Sequence, residues 1–415
     1  MKSGGIFVTG VDTGIGKTVV SAGLAAVLRS EEIDIGIMKP VQSGGVTKKG
    51  NLVSLDSEFL KKAAKSSDPM DLINPFCFSA RLSPYHAALK EGVEIDLARI
   101  YSSFETLQEK YRFVIMEGAG GLQVPITKSF FMEDLIWELN LPVLIVTHPY
   151  LGMINHTILT VSQAHMRGLK VVGIVINQFS HKKYVEPDIE LLERECNVPV
   201  LGILPYQKDL SVEKGKVGHL VATFKKQIQL DPVLELFKRN KKSKDREIWV
   251  EKDKKYIWHP FTQMKDWLNS PSMLVIDSAS GIRLREVDGT EYFDGHSSYW
   301  ANTHGHNNKE MNRSVIYQLN KVAHSTLFGL SNTAPIALAE KLVEITPSEL
   351  TRVFYSDDGS TAVEVGLKMA YQYWRNVGQP KKKKFVCLGG AYHGDTLGSI
   401  SVGRIDFYHG IFKSL

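Results

Sequence analysis

Val8-Thr-Gly-Val-Asp-Thr-Gly-Ile-Gly-Lys-Thr18 is the stretch that decides how the first half of this chain folds. It follows a short apolar run, Ile6–Thr9, and leads into an amphipathic stretch, Thr18–Arg29. A glycine-rich turn between a buried strand and a helix places backbone amides and the helix N-terminus where phosphate oxygens can be cradled. Lys17 is then placed to reach β/γ-phosphates, and the Thr18 hydroxyl to ligate Mg²⁺. Gly10 lies six positions before Gly16, one more than in the standard phosphate loop.

Working outward, five more apolar runs repeat the first: Ile35–Met38, Phe113–Met116, Val143–Thr147, Val171–Ile176 and Val200–Leu204. Each is rich in β-branched residues and bounded by Gly or Pro, as buried strands are. Amphipathic stretches at Asp96–Lys110, Ile154–Met166 and Pro187–Glu195 lie between them. Continuous apolar strands alternating with helices predict an α/β fold with a parallel sheet covered on both faces. Such sheets bind ligands at the carboxyl ends of their strands. The expected division is a domain over residues 1–235, a basic linker over 236–255, and a second domain over 256–415. Past the linker the vocabulary changes to aromatic and His-rich turns. There Phe385–Leu388 reads as a strand.

Composition narrows the function classes. Of the 415 residues, 43% are hydrophobic and 23% charged, as in globular proteins. No run approaches the ~18 apolar residues of a membrane span. The N-terminus enters a strand-like run directly, so a cytoplasmic protein is expected. Cys77, Cys196 and Cys387 are scattered, in no metal-ligand spacing. The formal charge of +5 is matched by Lys238–Lys255 alone, with nine Lys/Arg against four Asp/Glu. That run reads as a solvated linker, and nucleic-acid binding is not expected.

In its first 230 or so residues the chain resembles the dethiobiotin synthetase family. The loop is similar to that family's VTGTDTxxGKT, with Val11 for the usual Thr. Lys39-Pro-Val-Gln-Ser43-Gly, Asp56, Asn74-Pro75, Leu82-Ser-Pro84 and Glu117-Gly-Ala-Gly-Gly121 follow in order, then Leu151-Gly152, Ile154-Asn155-His156, Asn177 and Leu204-Pro205. Tyr85 stands where the family often has His, with His86 beside it. Taken singly, a Lys at a strand end or an Asp in a polar stretch is ordinarily a surface residue; the ordered series is what carries the reading.

The resemblance implies a P-loop NTPase-type domain. It joins CO₂ to 7,8-diaminononanoate as a carbamate, activates the carbamate with the γ-phosphoryl of ATP and closes the ureido ring. Lys39 and Lys17 would be catalytic. ATP would lie against Thr13, Gly14, Ile15, Gly16, Lys17, Thr18, Val19, Asp56, Glu117, Gly118, Ala119, Gly120, Asn177 and Pro205. Ser43 would touch the diamine, Asn177 the adenine, and Thr18, Asp56 and Glu117 would hold Mg²⁺. A homodimer is implied. The competing reading is a nucleotide-gated partner-binding switch. Against it, Asp12 stands where those ATPases carry a signature lysine.

The second half resembles the diaminopelargonate aminotransferase family, pyridoxal-phosphate enzymes of fold type I. The resemblance rests on Ile257-Trp-His-Pro-Phe-Thr-Gln-Met264, Asp294-Gly-His-Ser-Ser-Tyr-Trp300, His304-Gly-His306, Phe328-Gly329, Ser356-Asp-Asp-Gly359-Ser360-Thr-Ala-Val-Glu-Val365 and Tyr392-His-Gly-Asp395-Thr. Phe261 and Tyr299 stand where the family often has Tyr and Trp. The family makes the diamine that the first half would consume, so the two resemblances support each other. Gly359 and Ser360 would meet the cofactor phosphate, and Tyr392 its ring. A capping box Thr361…Glu364 is expected at that helix start. The family's Schiff-base lysine has no counterpart here, since Lys413 is the one lysine after Tyr392 and sits in no matching context. The expectation is therefore an incomplete aminotransferase segment with no transaminase activity of its own.

Overall fold

The computed structural model describes residues 4–178, 188–238, 242–270, 273–403 and 405–412. Pro187, where one helix is expected to begin, and Lys413 lie outside them. The chain divides into two compact units, Met1–Asn307 and Asn308–Leu415.

The first unit opens with β1 (Gly4–Gly10), α1 (Lys17–Ser30) and β2 (Ile35–Met38). An excursion follows through β3 (Val41–Ser43), β4 (Val46–Lys48), β5 (Asn51–Val53), α2 (Leu55–Ala63), α3 (Met70–Ile73), β6 (Phe76–Phe78) and α4 (Pro84–Glu91). The alternation resumes with α5 (Leu97–Lys110), β7 (Phe113–Glu117), α6 (Met132–Glu138), β8 (Val143–Thr147), α7 (Met153–Met166), β9 (Val171–Asn177), α8 (Ile189–Cys196) and β10 (Val200–Leu204). Then come α9 (Leu220–Gln227), α10 (Asp231–Lys238), α11 (Lys242–Tyr256), α12 (Met264–Leu268) and the short strands β11 (Ile276–Ser280), β12 (Arg283–Glu286) and β13 (Glu291–Phe293).

The six apolar runs form one parallel sheet in the order β10-β9-β8-β1-β7-β2. Successive side chains of a strand point to opposite faces, so a sheet buried on both sides produces two cores. Phe7, Met116, Ile145 and Ile174 face α5, α6 and α7, while Ile6, Val8, Ile115 and Val146 face α1, α2 and α9. The register sets Val8 opposite Glu117 and Met38 opposite Met116. The loop after β1, Lys39 after β2 and the acidic end of β7 therefore emerge side by side.

Residues 242–256, which take in most of the basic stretch, are helical. Ile248 and Trp249 are consecutive there and both are about half exposed, so α11 gathers no apolar stripe. β11, β12 and β13 form an antiparallel meander. No helix among the described residues is long and apolar enough to cross a membrane.

The second unit contains the helices Lys309–Lys321, Thr333–Ile345 and Gly359–Asn376, none of which has a buried residue. Two expectations fail here. Residues 385–388 form no strand, and Val386 is fully exposed: a strand needs a neighbour to pair with, and none of the described residues supplies one. The capping box at Gly359 uses Asp358 and Thr361 instead of Thr361 and Glu364. Aspartate before the first turn accepts an amide as well as any N-cap, and it moves the box three residues upstream.

Candidate active site

The phosphate loop turns through Gly14 and Gly16, both at positive φ. At Gly16 the requirement is double, since a Cβ there would also lie 2.0 Å from the Asn177 amide nitrogen. Gly16 caps α1 without a side-chain partner, which leaves the first amides of a 14-residue helix directed at the loop. Thr13 and Gly14 are exposed at the loop tip, Ile15 is buried beneath it, and Val19 is half-buried in the first turn of α1.

Five charged or hydroxylic groups converge beside the phosphate loop. Lys39 Nζ donates to Glu117 Oε1 at 2.6 Å and to Asp56 Oδ2 at 2.7 Å. Thr18 Oγ1 donates to the same Glu117 Oε1 at 2.8 Å. Lys17 Nζ, also buried, donates to the Asp12 carbonyl at 2.7 Å. Asp56 is carried in the first turn of α2, whose start is fixed by Ser54 accepting from the Ser57 amide at 3.0 Å.

The electrostatics follow from burial. Desolvation, then the Lys39 charge, push the Lys17 ammonium down to about 8, although Glu117 and Asp56 oppose the shift. Desolvation also acts against a charge on Lys39, yet the Glu117 and Asp56 carboxylates outweigh it and hold that ammonium above its ordinary value. Burial raises the Glu117 carboxyl, with Lys39 partly compensating. The short contacts identify Lys39 as the charged member around which both carboxylates are arranged.

Oxygen chemistry at this cluster fits Mg²⁺. Glu117 Oε2 is buried without a hydrogen-bond partner, while its Oε1 accepts from both Thr18 and Lys39. Two carboxylates and a hydroxyl are a hard donor set that leaves positions for phosphate and water. Among the described residues no group of three or more His, Cys, Asp or Glu gathers as a metal site.

The remaining expected residues lie on several elements. Gly118 donates its amide to the Val8 carbonyl, and a Cβ on Gly120 would lie 3.6 Å from Thr13 Oγ1, so residues 118–120, Ala119 among them, run beside the phosphate loop. Asn177 closes β9 and donates to the Ile15 carbonyl at 3.0 Å. Pro205 follows β10, the neighbouring strand, and is half-buried. Ser43 ends β3 with its hydroxyl buried and unpartnered.

Two features carry no assigned role in the sequence reading. Asn74 donates its amide to the Lys39 carbonyl at 2.7 Å and to the Phe76 carbonyl at 3.0 Å, clamping the turn that presents Lys39. The Asn-Pro pair after a short helix is its visible signal. After β8, the His148 and Tyr150 rings stack at 4.3 Å, and the Tyr150 hydroxyl meets His156 Nδ1. Their place at the end of a central strand is the clue that sequence offers.

The chain matches the AAA domain family over residues 4–214 and the aminotransferase class-III family over residues 266–415. It is 41% identical over 216 residues to the ATP-dependent dethiobiotin synthetase of Methanococcus vannielii, covering 51% of this chain and 99% of that protein. Over 228 residues it is 39% identical to the synthetase of Thermodesulfovibrio yellowstonii, covering 52% of this chain and 94% of that protein. The chain belongs to the dethiobiotin synthetase family. Fused to that synthetase-family half is a class-III aminotransferase segment. The segment is 58% identical over 167 residues to the adenosylmethionine-8-amino-7-oxononanoate aminotransferase of Anoxybacillus flavithermus, covering 40% of this chain. The chain spans 36% of the length of that relative.

In the aminotransferase segment, Gly359, Ser360 and the Tyr392 stretch do come together. Ser360 Oγ contacts Thr396 Oγ1 at 3.1 Å and Ser399 Oγ at 2.8 Å. Tyr392 stacks on His409 with centroids 5.9 Å apart, and its hydroxyl donates to Asp395. At this helix start Asp358 accepts from the Thr361 amide at 2.8 Å, and Glu364 accepts from the Gly398 amide at 2.7 Å.

Proposed function

We propose that residues 1–235 catalyse ATP- and Mg²⁺-dependent formation of dethiobiotin from 7,8-diaminononanoate and CO₂, with release of ADP and phosphate. The observation that carries this reading is the Lys39 ammonium clamped between Asp56 and Glu117, with the Thr18 hydroxyl on the same Glu117 and Lys17 beside it.

Each step makes a demand that these groups meet. An amine of the substrate adds to CO₂, loses a proton and becomes an anionic carbamate. Lys39, kept charged by its two carboxylates, is suited to hold that anion against the γ-phosphate. A carbamate oxygen then attacks the γ-phosphorus and ADP leaves. Charge gathers on the transferring group, where Lys17, Lys39 and the amides of the phosphate loop face it. Mg²⁺ held by Thr18, Asp56 and Glu117 would neutralise the phosphate oxygens. The second amine finally attacks the carbonyl carbon and expels phosphate, closing the ring. Ser43 would touch the diamine, Asn177 would read the adenine, and Pro205 would lie against the ATP. The family resemblance adds a homodimer in the cytoplasm. Residues 266–415 supply no step of this reaction.

The reading is tested with ¹³C-labelled bicarbonate, ATP, Mg²⁺ and the diamine. The label is expected at the ureido carbonyl of dethiobiotin, with one ADP formed per ring. ATP hydrolysis without labelled product would replace it with a nucleotide-gated switch.

A further inference from the structure

We propose that residues 276–293, which belong by sequence to the aminotransferase segment, are a docking element for the phosphate-loop domain, latched by Arg285 onto the carboxyl end of α6. A helix ends with carbonyls that have no partner within it and with a partial negative charge, which a basic side chain can meet. α1, α2 and α5 each carry their own basic residue in the last turn: Arg29, Lys61 with Lys62, and Lys110. α6 has none. Arg285, from β12, takes that place.

The contact is built and buried. Arg285 is 5% exposed. Its Nη1 donates to the Trp137 carbonyl at 3.1 Å and its Nη2 to the Glu138 carbonyl at 3.2 Å, the last two residues of α6. The guanidinium lies over the Trp137 ring, 4.7 Å from its centroid. Glu291 on β13 accepts from Nε at 3.1 Å and from Nη2 at 2.8 Å, orienting the fork. On the other side, Glu286 is buried and accepts from Arg246 Nε of α11 at 2.6 Å. The meander is thus tied both to α6 and to α11. Beside the latch, a groove of about 1120 Å³ has Tyr101 and Glu105 of α5 and Arg283 of β12 among its walls.

Hydrogen exchange on the full-length chain tests this. In the unaltered protein, amides of 276–293 and of the α6 end, residues 136–141, are expected to be protected together. Arg285→Ala removes charged hydrogen bonds, so exchange in both segments should rise about tenfold or more while β1 and β7 stay unchanged. Arg285→Lys keeps the charge without the planar fork and should fall between. Full-rate exchange of 276–293 in the unaltered protein would overturn the proposal, as would an Arg285→Ala effect confined to the meander. Should Arg285→Ala also loosen β1 and β7, Trp137→Leu gives a milder reading. It is expected to speed exchange in 276–293, and no change there would count against the latch.

Discussion

Lys39 is held by three separate pieces of chain: Asp56 from α2, Glu117 from β7, and Asn74, which grips its carbonyl. Truncation to Lys39→Ala should lower kcat by about 10²–10³-fold while ATP still binds, because a preorganised charge at the transferring group is lost. Near-normal ring closure by that variant would remove Lys39 from the mechanism. Asn74→Ala leaves the buried carbonyl without its donor, at a cost of about 1–3 kcal/mol. Its signature should be a fall in kcat with the KM for ATP unchanged. A rise in that KM alone would place Asn74 elsewhere in the account. Lys17 makes a pH prediction. Its ammonium sits near 8 in the nucleotide-free protein, and phosphate requires the charged form. Above about pH 8 binding must first take up a proton, so affinity for ATP should fall by up to about tenfold per pH unit. Calorimetry showing constant affinity from about pH 7 to 9.5 would contradict this. Lys17 and Thr18 were legible from spacing alone. Lys39, Asp56 and Glu117 were legible through a resemblance, and Asn74's grip was not, because its acceptor lies 35 residues away.

At the scale of elements, the six strands were readable because parallel strands buried on both faces are continuously apolar. Helix ends were read less well. At Gly359 several Ser, Thr and Asp residues compete to cap, and sequence does not say which wins. Residues 385–388 have the composition of a strand without a partner, and composition cannot supply one. Between α6 and α7 the structure adds a staple invisible in sequence. Arg167 reaches Asp134 at 2.9 Å and Glu133 at 3.3 Å, while Gln123 and Gln163 each donate to Glu133 at 2.7 Å. Both carboxylates are buried. Arg167→Ala strands them, which should cost about 3–5 kcal/mol of stability. Denaturant melts with an unchanged midpoint would show that the pair is relieved by other means.

For the molecule as a whole, apolar burial is uneven. Both large cores lie within the first unit, and the three longest helices of the second have no buried residue. Phe328, Phe354, Ile345 and Leu388 are each more than 60% exposed. Local opening is cheapest where few apolar contacts must break. Limited proteolysis of the full chain should therefore cut within 308–415 first and leave a resistant fragment close to 1–307, readable by mass. Initial cleavage within the parallel sheet would reverse that ranking. The central claim concerns the first unit. Its most direct measurement is ADP release by the full-length protein with ATP, Mg²⁺ and bicarbonate, in the presence and absence of 7,8-diaminononanoate. The account predicts release that depends on the diamine and is matched by dethiobiotin. Release at the same rate without diamine, or none with it, would contradict it.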